Sequence, residues 1–117
     1  MGIEIDQVDE DGGAVCKMAL TPAHMNAGGA PQGGAIFTLA DFTFAVASNS
    51  SGSYIVSIGC SISFMNAARG KVLYAKAVRR SQSRRISYYD VEVYDELQTP
   101  VAKMSVTGYN KNTPLAI

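Results

Sequence analysis

The chain has 117 residues, of which 47% are hydrophobic, and equal numbers of acidic and basic side chains. That suits one domain, residues 1–117, able to bury a core yet small enough to gain from a second copy. One histidine, His24, and two cysteines without metal or redox spacing, Cys16 and Cys60, argue against zinc, a histidine-based triad and a disulfide framework, and leave both thiols as small buried side chains.

The N-terminus, MGIEIDQVDEDGG, is too acidic for a signal or transit peptide, and Asp6 breaks the myristoylation pattern. No apolar run is long enough for a membrane span. A cytoplasmic protein is expected. An opening strand leads through Gly12-Gly13 into a second strand over residues 14–20, the two forming a hairpin. The stretch TPAHMNAGGAPQGG is dense in small and turn-forming residues and reads as a long ordered loop, the kind more often functional than idle.

From Gly33 to Ser48 an apolar run of helix length follows. It is hydrophobic on nearly every side, which predicts a buried helix held by packing rather than propensity, since Phe37, Phe42, Phe44 and Val46 are not strong helix formers. Asn49-Ser50-Ser51-Gly52 ends it. Next, YIVSIGCSISFM alternates, with Tyr54, Val56, Ile58, Cys60, Ile62 and Phe64 on one face and Ser57, Gly59, Ser61 and Ser63 on the other. A turn at Asn66–Gly70 precedes strands in KVLYAKAVRR, RRISYYDVEVYD and PVAKMSVTGYN, whose short connections predict antiparallel neighbours. The fold class is α+β, with one long buried helix against an antiparallel sheet of five to six strands.

Asp41 is the only charged side chain in that helix. Buried and unpaired, a carboxylate is costly and tends to stay protonated, so it needs a reason: either it lies on a solvated stripe near Thr38, or it is a base or nucleophile at the lip of a cleft. Gly33 and Gly34 stand at the helix start, where backbone N–H groups lack helical partners, the dipole favours negative charge and a ligand can approach closely. Asp41 lies about 12 Å of helix rise from Gly33. One chain cannot join them, but two antiparallel helices across a two-fold axis can. Arg69, Lys71, Lys76, Arg79, Arg80, Arg84 and Arg85 form a basic window with no acid between Asp41 and Asp90, while acids gather at Glu4–Asp11 and Asp90–Glu96. On a neutral protein this suits a small anionic ligand better than a nucleic acid.

The segments His24-Met25-Asn26, Gln32-Gly33-Gly34, Leu39-Ala40-Asp41, SIGCSISFMNAARGK and Ser83-Arg84-Arg85 resemble, in order, the pattern of the hotdog-fold acyl-CoA thioesterases of the phenylacetate-pathway and 4-hydroxybenzoyl-CoA type. The resemblance covers nearly the whole chain. It implies hydrolysis of an acyl-CoA by a homodimer or homotetramer with sites between subunits and no cofactor. Asp41 would activate water or attack the thioester, the Gly33 N–H would polarise its carbonyl, Asn26 would hold the nucleophile, and Ser57 would assist across the dimer. Gly34 would border the substrate, and Arg69, Ser83, Arg84 and Arg85 would meet the phosphates of coenzyme A. Gln32 stands where the family has histidine: its amide can donate a hydrogen bond but not carry a proton. His24 reads as a loop residue that positions Asn26. The alternative is a non-catalytic acyl-CoA-binding module of the same fold. Enoyl hydration wants a histidine this helix lacks, and nucleic-acid binding through residues 69–85 would show steep salt dependence.

Overall fold

The computed structural model describes residues 2–9, 11–50 and 52–114, with side chains through Lys111. Glu10 of the N-terminal acid run and Ser51 of the helix-ending turn lie outside the described residues. Strands β1 (Ile3–Asp9) and β2 (Gly13–Ala19) form the hairpin, turning at Gly12, whose positive φ of 83° suits glycine. Helix α1 (Gly33–Asn49) then carries the chain across the sheet to β3 (Ser53–Phe64), and β4 (Val72–Gln82), β5 (Ile86–Asp95) and β6 (Pro100–Pro114) follow. All pairings are antiparallel, in the order β1-β2-β4-β5-β6-β3, so β1 and β3 are the edges. Six strands against one helix is the expected architecture.

The core lies between α1 and the inner sheet face. Cys16 and Met18 of β2, Leu73, Ala75 and Ala77 of β4, Tyr89, Val91 and Val93 of β5, and Met104 and Val106 of β6 meet Ala35, Ile36, Leu39, Ala40, Phe44 and Ala47 of the helix. The alanines let the helix lie close to the sheet. Phe44 stands edge-on to Tyr89, ring centroids 5.2 Å apart. The buried hydroxyl of Thr43 donates to the Leu39 carbonyl at 2.7 Å, so it costs the core no unpaired group. Asn49 Oδ1 accepts the Ile55 N–H and ties the helix end to β3.

Two expectations need correction. The helix is not buried all round: Gly33, Gly34, Thr38, Asp41 and Phe42 are exposed along one stripe, because the sheet covers one side only. The unbroken alternation in β3 also fails. Ile55 is buried, whereas Ile58 is 58% exposed and Cys60 is exposed rather than a buried thiol. A bulge between Ser57 and Gly59 shifts the phase by one residue, so the inward series resumes at Ile62. Cys16 is buried as expected, and burial pushes its thiol pKa up.

Candidate active site

The loop between β2 and α1 is built around a few side-chain acceptors. A short 3-10 turn, Pro22–His24, opens it, and Met25 bridges to Pro31. His24 is buried, and its Nδ1 accepts the Thr21 N–H at 3.1 Å, which places the ring proton on Nε2. Asn26 Oδ1 accepts the N–H groups of Gly28 at 2.9 Å and Ala30 at 3.1 Å. That fixes its amide orientation and leaves Nδ2 as the face a ligand can meet. Gln32 Nε2 donates to the Met25 carbonyl at 3.0 Å, and the Gln32 backbone N–H donates to the His24 carbonyl. The glutamine is thus tethered to the loop that carries Asn26, with one amide hydrogen committed.

At the start of α1 the Gln32 carbonyl takes the N–H groups of Ala35 and Ile36. Those of Gly33 and Gly34 have no acceptor among the described residues, and both glycines are exposed. A Cβ on Gly33 would sit 3.3 Å from Phe64 Cζ, so only glycine leaves the backbone fully open there. Beside it lies a cleft of about 320 Å³, lined by Pro31, Gly33, Ile36, Phe64, the 65–68 loop and Val101. Two turns on, Asp41 is exposed between Thr38 and Phe42, with no ion pair among the described residues. In one chain Asp41 is therefore on a solvated stripe, and the stripe continues from the glycines. Ser57 is exposed at the β3 bulge. A larger cleft, about 640 Å³, lies elsewhere, among Asp6, Asp9, Tyr74, Lys76 and Arg79, and holds none of these residues.

The basic window divides. Phe64 pairs with Ala102 and Leu73 with Asp95 at the sheet end near Gly33, and Arg69 lies in the loop joining them. The β4–β5 turn is at the other end, where Ile86 and Val56 both face Tyr109. There the Ser83 hydroxyl donates to the Ile86 carbonyl at 3.1 Å and its backbone N–H to the same oxygen at 2.7 Å, closing the turn that displays Arg84. Arg85 donates to Tyr109 Oη at 3.2 Å. So one chain brings Arg69 to the Gly33 end and sends Arg84 and Arg85 to the other. Arg80 pairs with Asp90 at 2.9 Å on the outer sheet face.

Sequence reasoning saw Asp95 and Glu96 only as part of an acidic cluster. Asp95 is fully buried, with Oδ2 accepting the N–H groups of Arg69 and Gly70 and Oδ1 those of Leu97 and Thr99. Burial alone would raise its pKa, but the donors from Thr99, Arg69 and Gly70 override it and hold the carboxyl well below the usual range. Glu96 accepts from Lys71 and Val72, which lowers its pKa too. The only sequence signal was two acids at a strand end before Leu-Gln-Thr-Pro.

A helix wrapped on one side by a six-stranded antiparallel sheet defines a hotdog fold. The sequence profile of the thioesterase superfamily matches residues 32–102, and the chain belongs to that family. It is similar to the acyl-coenzyme A thioesterase PaaI of Escherichia coli strain K12, 38% identical over 103 residues, covering 87% of this chain and 73% of that protein. The solved structure of the E. coli PaaI protein superposes with a TM-score of 0.92, at 31% identity over 98% of this chain and 83% of that one. A hypothetical thioesterase from Streptococcus pneumoniae TIGR4, solved with coenzyme A, is 27% identical with a TM-score of 0.87, covering 97% of this chain and 88% of its own. Among the described residues no helix is long and apolar enough to cross a membrane.

Proposed function

We propose that residues 1–117 form one thioesterase domain that hydrolyses acyl-CoA to the free acid and coenzyme A as a two-fold dimer, or a tetramer of such dimers, in the cytoplasm. The observation that carries this reading is the exposed stripe of α1, where Gly34, Thr38, Asp41 and Phe42 lie bare together. A face with an unpaired carboxylate, a large apolar ring and an open helix start suits closure by a second copy. Antiparallel apposition puts Asp41 of one chain against Gly33 of its partner. It also returns Arg84 and Arg85 of one chain to the end where the other presents Arg69.

The chemistry then needs little. The Gly33 N–H, helped by the helix dipole, polarises the thioester carbonyl, with Gly34 leaving room beside it. The Asp41 carboxylate either takes a proton from water as its oxygen attacks the carbonyl carbon, or attacks that carbon itself and is released by water. The carbon–sulfur bond breaks, and the thiolate, a good leaving group, takes up a proton. Asn26 Nδ2 donates to the nucleophile or the oxyanion, and the uncommitted Gln32 amide hydrogen supports the carbonyl without carrying a proton. Ser57 assists from the edge strand, and Arg69, Ser83, Arg84 and Arg85 border the phosphates. The coenzyme A held by the S. pneumoniae relative supports this choice of substrate.

Thiol release from a panel of acyl-CoAs tests the reading. Asp41→Ala is expected to cost at least about a hundredfold in turnover, the scale of a general base. If neither protein hydrolyses any ester, yet coenzyme A esters raise the melting temperature, the acyl-CoA-binding module replaces the enzyme.

A further inference from the structure

The loop between β3 and β4, residues 65–71, lines the cleft at the helix start with residues 65–68 and carries two exposed cations, Arg69 and Lys71, immediately after them. Its backbone is held in an unusual way. The N–H groups of Arg69 and Gly70 converge on Asp95 Oδ2 at 2.8 and 2.9 Å, and those of Lys71 and Val72 reach the Glu96 carboxylate at 2.9 to 3.1 Å. Consecutive donors are thus received by consecutive acids. A Cβ on Gly70 would collide with Glu96 Oε1, so the glycine is what lets the carboxylate come this close. On its other side the loop is fastened by the Asn66 side chain, which donates to the Pro100 carbonyl at 2.8 Å.

The consequence concerns charge. Acids adjacent to basic side chains would ordinarily neutralise them, but both carboxylates are turned onto the backbone. Among the described residues the ion pairs are Lys17–Asp6 and Arg80–Asp90, and neither involves Arg69 or Lys71. The loop is held at its backbone while Arg69 and Lys71 are exposed to solvent.

We propose that Asp95, with Glu96 beside it, is a positioning residue for substrate recognition: it holds the 65–71 loop so that Arg69 and Lys71 present a preset cationic edge to the phosphates of a coenzyme A thioester. This rests on the acyl-CoA reading above and adds to it a reason for preferring coenzyme A over small thiols. Preorganisation matters because an anchored cation loses less freedom on binding than one on a loose loop.

The test compares wild type, Asp95→Asn and Glu96→Gln on two substrates with the same acyl group, the coenzyme A ester and the phosphate-free N-acetylcysteamine ester, alongside calorimetric titration with coenzyme A alone. For Asp95→Asn the KM for the coenzyme A ester and the Kd for coenzyme A are expected to rise on the order of tenfold, the size of one lost charge-assisted contact. Its kcat should stay within about twofold, with no matching loss on the phosphate-free ester. Glu96→Gln, which sits at the surface, should shift the same two constants by about threefold if Asp95→Asn fails to fold. Equal losses on both esters would make Asp95 merely structural and overturn the proposal, as would an unchanged affinity for coenzyme A in both variants. If wild type binds coenzyme A yet cleaves neither ester, the enzyme reading falls, and the calorimetry alone decides the positioning role.

Discussion

Asp95→Asn also makes a sharp statement about stability. Each carboxylate oxygen accepts two backbone N–H groups, so whichever way the amide is turned, its NH2 faces two donors. Two partly buried N–H groups lose their acceptor and meet another donor instead. At about 1–3 kcal/mol for each donor left unsatisfied, the two together should cost about 2–6 kcal/mol, high among single mutations. In a chain of this size that lowers the melting temperature by about 10–20 °C. Urea unfolding at fixed protein concentration measures it as a lower midpoint with an unchanged slope. The pH dependence follows from linkage. The folded carboxyl has a pKa below its unfolded value, so its contribution is fully present above about pH 4 and fades as the pH falls toward the folded value. The gap between wild type and variant should therefore be widest near neutrality and narrow under acid. A cost below about 1 kcal/mol at pH 7, or a gap that widens on acidification, would refute the argument.

Other outcomes follow from the same geometry. Gly33→Ala should leave stability within about 1 kcal/mol, since alanine favours the helix and only the far edge of Phe64 must yield, while hydrolysis falls tenfold or more because the backbone donor is screened. Gln32→Ala removes the tie to the Met25 carbonyl; amide exchange across residues 25–31 should quicken, and restoring glutamine's reach with glutamate should not rescue it, because the lost group is a donor. Phe44→Ala deletes a buried ring against Tyr89 and should destabilise by about 3–5 kcal/mol in denaturant titration. Cys16 should resist thiol reagents until the chain unfolds, since burial both covers it and disfavours the thiolate.

Much of this was legible in the sequence where the signals are local. The helix span, the strand order along the chain and the long loop follow from runs of apolar residues and clusters of glycine and proline. The phase of β3 did not, because a bulge is set by pairing with β6 and leaves Ser57-Ile58-Gly59 looking like ordinary alternation. The exposure of Phe42 was hidden for a related reason: it is as apolar as the buried Phe44, and only the sheet decides which of them is covered. Asp95 could not be read as an anchor, since its partners at Arg69 and Gly70 are remote in sequence and are backbone groups that no residue type advertises. The basic window, contiguous along the chain, splits between two ends of the sheet because strands β4 and β5 carry Arg84 and Arg85 the full length away from Arg69.

The strand order also shapes how the site comes into being. The β4-β5-β6 meander closes through short turns and can zip quickly, whereas β3 joins only β6, pairing Phe64 with Ala102 and Ile55 with Asn110. Closing such distant pairs carries the larger loop entropy, as it does where β2 meets β4 and Gly13 pairs with Val78, so these two junctions rather than the meander turns limit how fast a topology of this kind forms. Phe64 and the bulge at Ser57 ride on β3. Phe64 and Val101 both line the cleft beside Gly33, so a nascent chain cannot complete that cleft until the start of β6 has left the ribosome and β3 has joined it.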